Sequence, residues 1–291
     1  AGVPSGVVDV ATGQGVYLYF EAGNVVGRVG SGGVADVNGA IAFNITIVSS
    51  TGAVTLDQLL ALSHPDGSDD NDIVSLTAAA VTLTATVTDK DGDSASDTMN
   101  LGDRVNFRDD APTVAVVATT TNLLVDETSL ASNATQDFST SFNVNYRADG
   151  AGTTVYSLGI SGAGVPSGVV DVATGQGVYL YLVTGSVVGR VGSGGVADAG
   201  GATAFNISVN AATGAVTLDQ VRALEHPNPA QPNELINLTT NAVTLIATAT
   251  DKDGDSAFAS ISLGDKVGFR DDVPTIVTTG AVINVEVDET T

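Results

Sequence analysis

Three short acidic motifs carry the side chains best placed to do chemistry, and each occurs twice. TDKDGD sets Asp89, Asp91 and Asp93 on alternate positions, and again Asp251, Asp253 and Asp255. FRDD followed by x-Pro gives Asp109 and Asp110, then Asp271 and Asp272; VDET gives Asp126 and Glu127, then Asp288 and Glu289. Clustered carboxylates suit a hard divalent cation, above all calcium, which takes about six to eight oxygen ligands. One short loop cannot supply that many. Two or three loops meeting at a domain junction can. RDD closes a repeat at its proline and VDET opens the next roughly 16 residues later, so both are expected near one seam, with the DxDGD turn reaching the same end.

The spacing is not that of an EF-hand. Counting from Asp89, glycine falls at position 4 rather than 6, and position 12 is Asn100 rather than glutamate. Lys90-Asp91-Gly92-Asp93 also serves as a plain hairpin turn, where Asp and Gly are common without a metal. The motif alone leaves both readings open. Three acidic clusters recurring at a domain edge favour the cation.

Overlaying the two copies sorts the remaining candidates. Asp97 is replaced by Ala259, which argues against a ligand. The acidic loop 66–72 becomes PNPAQPNE in the other copy and reads as a solvated surface loop. His64 and His226 occupy one equivalent place, in LSHP and LEHP, and read as structural hydrogen-bonding residues. Neither has a nucleophile motif or a second histidine near it, so no enzyme is expected. The glycine-rich stretch 26–36 follows a hairpin and lacks the Lys-Ser/Thr of a phosphate loop. Asn44, Asn133, Asn206 and Asn237 begin glycosylation sequons, relevant only to a chain secreted by a eukaryote.

Composition removes whole classes of partner. With 33 acidic and 10 basic residues the net charge is −23, the opposite of a nucleic-acid footprint and unsuited to acidic lipid. Cysteine is absent, which excludes disulfides and thiolate metal sites. No apolar run reaches the length of a membrane helix. Aromatic residues make up 5%, and Tyr17, Tyr19, Tyr179 and Tyr181 fall within strands rather than forming a binding platform.

The elements that must hold these acids follow from a long repeat. AGVPSGVVDVATGQGVYLY at Ala1 returns at Ala163, an offset of 162 residues that runs ungapped to the end; 82 of the 129 overlaid positions are identical. That period exceeds a solenoid rung and suits separate domains in tandem. The division is 1–110 for a first repeat, 111–273 for a second, complete one, and 274–291 for the start of a third. Residues 111–162 have no counterpart ahead of Ala1, so the first sandwich is expected to be incomplete and the chain to be a stretch of a longer array.

Period-two alternation dominates within each repeat. Val16–Phe20 and Val25–Val29 read as one hairpin, Ala42–Val48 and Ala53–Leu56 as another, and Val81–Thr88 alternates apolar residues with threonine. Residues 136–146 and 154–160 supply early strands of the second copy. Only Leu56–Leu62 has helical spacing, enough for one or two turns. Many short strands with regular turns predict an all-β chain of tandem immunoglobulin-like or cadherin-like β-sandwiches, with a jelly roll as the alternative.

SGVVDVATGQGVYLY, then FNITIVSSTGAVTLDQLLALSHP and TDKDGD, with VDET opening a repeat and DDxP closing it, resemble the tandem extender repeats of bacterial giant adhesins of the RTX type. The resemblance spans nearly the whole chain. It implies export by type I secretion, an extracellular cell-surface location, a role in adhesion and biofilm, and calcium rigidifying the joints between neighbouring repeats. The seam acids are also similar to the interdomain calcium residues of cadherins, and the GGxGxD nonapeptides of the RTX β-roll are absent. The expected function is thus a non-catalytic stalk segment. A carbohydrate- or cell-binding module, or a fibre subunit self-associating through exposed strand edges, are the alternatives.

Overall fold

Period-two sequences bounded by Gly, Asp and Asn form strands throughout. The structure, a computed structural model, describes residues 2–274, 276–280, 287 and 289. In the first copy β1 (Val3–Val8), β2 (Gly15–Glu21), β3 (Asn24–Val29), β4 (Ile41–Val48) and β5 (Ala53–Gln58) make one antiparallel sheet in that order. Four more strands follow: β6 (Ile73–Ser75), β7 (Thr82–Thr88), β8 (Ser94–Asn100) and β9 (Asn106–Arg108), with β6 paired to β9 and β7 to β8. The β2–β3 hairpin turns on Ala22 and Gly23, both at positive φ (47° and 87°), the primed geometry that matches strand twist.

The second copy opens with β10 (Thr113–Val116), β11 (Leu123–Asp126), β12 (Ala134–Asp137), β13 (Phe142–Asn145) and β14 (Thr153–Ile160), which have no counterparts in the first. It continues with β15 (Val165–Asp171), β16 (Gln176–Val183), β17 (Ser186–Val191), β18 (Thr203–Val209), β19 (Ala215–Gln220), β20 (Leu235–Asn237), β21 (Val243–Thr250), β22 (Ser256–Ser262) and β23 (Val267–Arg270), which repeat β1 to β9. A six-stranded sheet, β12-β19-β18-β17-β16-β15, packs against β14-β21-β22, β10-β13 and β11-β23-β20. Leu180, Phe205, Ile207 and Leu218 from one layer meet Leu158, Leu245 and Ala247 from the other in one core. A separate core, with Phe43, Phe107, Leu62 and Val16, fills the first copy. Among the described residues no strand pairing crosses from residues before 110 to those after. The chain is all-β and of β-sandwich type.

The expected helical turn at Leu56–Leu62 is a strand instead. Residues 53–58 pair with β4, from Phe43↔Gln58 to Val48↔Ala53, and Leu59–Leu62 is irregular, bridged at Leu62 to Asp9. The ladder pairs the backbone groups that face β4 along six residues, which a one-turn helix with its costly nucleus cannot match. The alternation of Val81–Thr88 also behaves unevenly. In the second copy its equivalent, β21, buries every other residue beneath β14; in the first, β7 is exposed on both faces apart from Leu83, because no strand covers it. Among the described residues no helix is long and apolar enough to cross a membrane.

Candidate metal centre

The DxDGD turn closes on its own first carboxylate. Asp251 Oδ1 accepts from the backbone N–H of Gly254 (3.1 Å) and Asp255 (2.8 Å), while Asp251 N–H donates to the Asp255 carbonyl (3.0 Å). Asp89 forms the same bonds with Gly92 and Asp93 at 3.1 and 2.9 Å. The hairpin-turn reading and the ligand reading are therefore compatible: Oδ1 builds the turn and leaves Oδ2 free.

In the second copy this turn faces the first copy. The backbone N–H of His64 donates to Asp253 Oδ2 (3.2 Å), and Gly67 packs so closely on Gly254 that a Cβ there would sit 3.0 Å from its carbonyl. From the first copy, the end of β9 brings Asp109 and Asp110, and the Asp109 N–H donates to the Asp72 carbonyl (3.1 Å). From the second, the β13–β14 loop brings Asp149. That loop is pinned to the turn at Gly152, where a Cβ would lie 2.4 Å from the Asp251 carbonyl.

Seven carboxylates thus converge on one seam: Asp72, Asp109 and Asp110 from one side, Asp149, Asp251, Asp253 and Asp255 from the other. Ligand oxygens of Asp109, Asp149 and Asp253 lie within 4.8 Å of one another. Seven buried polar atoms here lack a hydrogen-bond partner: His64 Nδ1, Asp72 Oδ1, Asp110 Oδ1, Asp149 Oδ2, Asp251 Oδ2, Asp253 Oδ1 and Asp255 Oδ2. Such atoms are normally satisfied by protein, water or an ion. Burial raises the Asp109 carboxyl to about 7, against the pull of His64. Burial, the adjacent Asp110 and other nearby carboxylates raise Asp149 to about 8. Burial also raises Asp251, to about 6, and Asp255. Groups so poised bind either protons or cations. Asp109, Asp149 and Asp253 supply an all-oxygen set that fits calcium.

The VDET cluster is not at this seam, contrary to expectation. β11 runs parallel to β23, from Leu123↔Val267 to Asp126↔Arg270, which carries Asp126 and Glu127 to the far end of their own copy. There Glu127 Oε1 accepts from Gln220 Nε2 (2.6 Å) and Leu224 N–H (2.8 Å), and burial raises its carboxyl. It groups with His226 and Asp271. Asp126 is exposed and caps a 3-10 turn by accepting from Thr128 N–H (2.9 Å). Asp272 and Glu289 are exposed, and Asp288 lies outside the described residues. At the first seam the place equivalent to that of Glu127, beside Gln58 and Leu62, is a cavity of about 320 Å³ reaching Asp109 and Asp149. Asp89, Asp91 and Asp93 lie together but fully exposed on the opposite end of the first copy.

Three residues of the seam were not among the expected ligands. The variability of its loop argues against Asp72, although Glu234 keeps an acid at that position; the LSHP setting gives His64 a structural role, although His226 repeats it. Asp149 has no counterpart in the other copy, so the overlay carried no signal for it.

A search of curated proteins and a search of solved structures each found no match. One family model, a domain of unknown function, DUF5801, matches residues 1–102 and 122–264, two blocks that flank the stretch holding Asp109 and Asp110. With both copies matched over most of their length, the chain belongs to the DUF5801 family.

Proposed function

We propose that this chain is a structural extender segment of a large secreted bacterial surface adhesin, in which calcium locks successive repeats end to end outside the cell. One observation carries this reading: seven carboxylates from two repeats meet at a seam where seven buried polar atoms have no partner. At neutral pH such a cluster repels itself, and the net charge of −23 adds to the repulsion. A divalent ion that binds only the closed seam stabilises it by mass action. Where calcium is scarce the seam stays loose, which suits export of an unfolded chain; where calcium is plentiful the joint stiffens. The sequence resemblance to RTX adhesin extenders supports the same role, and it involves no catalysis.

Small-angle scattering and thermal melts in millimolar calcium and in chelator test the idea. The expected result is a larger, sharper maximum dimension and a higher melting temperature with calcium. Superimposable curves in the two buffers would sink the calcium joint.

A further inference from the structure

We infer that the seam holds a second metal position of different chemistry, built on His64 Nδ1, Asp72 and Asp109, which takes a borderline divalent ion such as Zn²⁺ or Co²⁺ beside the all-oxygen calcium position. The inference rests on reading the seam as a metal joint and adds a second ion class to it. The ligand atoms of these three residues lie within 4.8 Å of one another. Asp109 belongs to both groups.

His64 supplies the independent observation. Its side chain is 2% exposed, and Nδ1 has no hydrogen bond although Asp109 Oδ1 is 3.2 Å away and Asp253 Oδ2 4.0 Å. Nε2 lies 3.3 Å from the Phe107 carbonyl. A carbonyl only accepts, so Nε2 carries a hydrogen, and Nδ1 is aimed at carboxylate oxygens. An electrophile between Nδ1 and the Asp109 carboxylate, a proton or a metal ion, satisfies both, and the Co²⁺ titration below tells the two apart. A histidine that ligates a metal commonly donates its other N–H to a backbone carbonyl in this way. The 3.2 Å span from Nδ1 to Asp109 Oδ1 subtends roughly 100° at an ion with bonds of about 2.1 Å, an ordinary coordination angle. Imidazole nitrogen favours zinc, cobalt, nickel and copper over calcium.

The second copy provides an internal control. His226 has the same sequence setting, yet its Nδ1 is closed by the Leu224 carbonyl at 2.9 Å and its Nε2 faces the Phe269 carbonyl at 3.2 Å. Glu234, at the place of Asp72, accepts instead from Asn228 N–H (2.9 Å).

The test uses the whole chain with calcium saturating, titrated with Co²⁺ while visible d–d absorption is recorded. Unmutated protein is expected to bind one Co²⁺ with a strong band. His64→Gln should weaken that binding at least tenfold and abolish the band, and Asp72→Asn should weaken it severalfold. His226→Gln, at the other end of the second copy, should change the binding of neither ion. In ¹⁵N-labelled unmutated protein, Zn²⁺ should shift Nδ1 of His64 and not that of His226, a readout independent of any variant's folding. The proposal is overturned if Co²⁺ binding is indifferent to His64→Gln, if calcium displaces Co²⁺ one for one, or if the His64 resonance does not move. A His64-dependent Co²⁺ band with no calcium uptake would keep this site and discard the calcium reading.

Discussion

The same nine strands and the same DxDGD turn occur twice in one molecule, in two different surroundings. In the first copy Asp89, Asp91 and Asp93 are exposed, and the Asp89 carboxyl is held below its usual value by the neighbouring Asp91 and by the turn's backbone N–H groups. In the second, Asp251 and Asp255 are buried against the preceding repeat and their carboxyls are raised. The turn geometry is the same in both. Site character therefore comes from the docked neighbour and the β13–β14 loop, not from the motif.

The strands above each turn give the largest contrast. Leu245 on β21 is fully buried, whereas its equivalent Leu83 on β7 is half-buried without a covering strand. Leu245→Ala should cost about 2–5 kcal/mol, and Leu83→Ala roughly 1 kcal/mol or less, measured by denaturant unfolding. Equal costs would mean that β7 finds a cover in solution, which is what strand addition requires.

The seam gives the next effect. Calcium at about 100 times its Kd should stabilise the closed seam by about 2.7 kcal/mol per ion. Asp253→Asn should lower calcium affinity on the order of 100-fold, since each carboxylate counts towards the ion's charge and coordination. Asp91→Asn, the equivalent change on the open face, should leave the affinity unaltered by calorimetry. Similar losses from both would remove the distinction between the two turns.

Acidity should separate them as well. Folded values raised to about 7 for Asp109, about 8 for Asp149 and about 6 for Asp251 lie above those of an unfolded chain. Their contribution to stability is complete below the unfolded pKa and is lost as pH rises through the folded values. In chelator, melting temperature should fall between about pH 5 and 8. Asp89, with its lowered value, acts in the opposite sense: its contribution is lost as pH falls. Calcium affinity should rise over that same interval, because binding displaces protons. Asp149→Asn should flatten both trends.

How much of this was legible in the sequence varies with how local the cause is. Alternation and the glycine turns revealed the paired strands, because side-chain period and turn chemistry act over a few residues. Leu56, Leu59 and Leu60 have helical spacing, yet the β4 partner decides their conformation, and that partner is a tertiary fact. The overlay retained Asp109, Asp110, Asp251, Asp253 and Asp255, all now at one seam. It discarded Asp72 because the neighbours of Asp72 vary, and it was silent on Asp149. Chain order suggests that VDET joins Asp109 and Asp110, whereas the parallel pairing of β11 with β23 sets Glu127 beside Asp271, the second copy of the same motif.

The smallest expected effect, at Asp126, is the most direct check on which acids belong to the joint. Asp126 is adjacent to Glu127 in an acidic pair, but its carboxylate is already used, accepting from Thr128 N–H at the start of a 3-10 turn. The hydrogen bonds from Thr128 lower its pKa, as a capping carboxylate requires and opposite to the seam acids. Asp126→Ala should therefore cost about 0.5–1 kcal/mol, the ordinary loss for an exposed cap. Calcium affinity at the seam of Asp109 and Asp253 should stay unchanged, since β11 ends at the other face of the repeat. A drop in that affinity would mean that the VDET acids reach the seam after all, and that the parallel pairing of β11 with β23 is not the arrangement in solution.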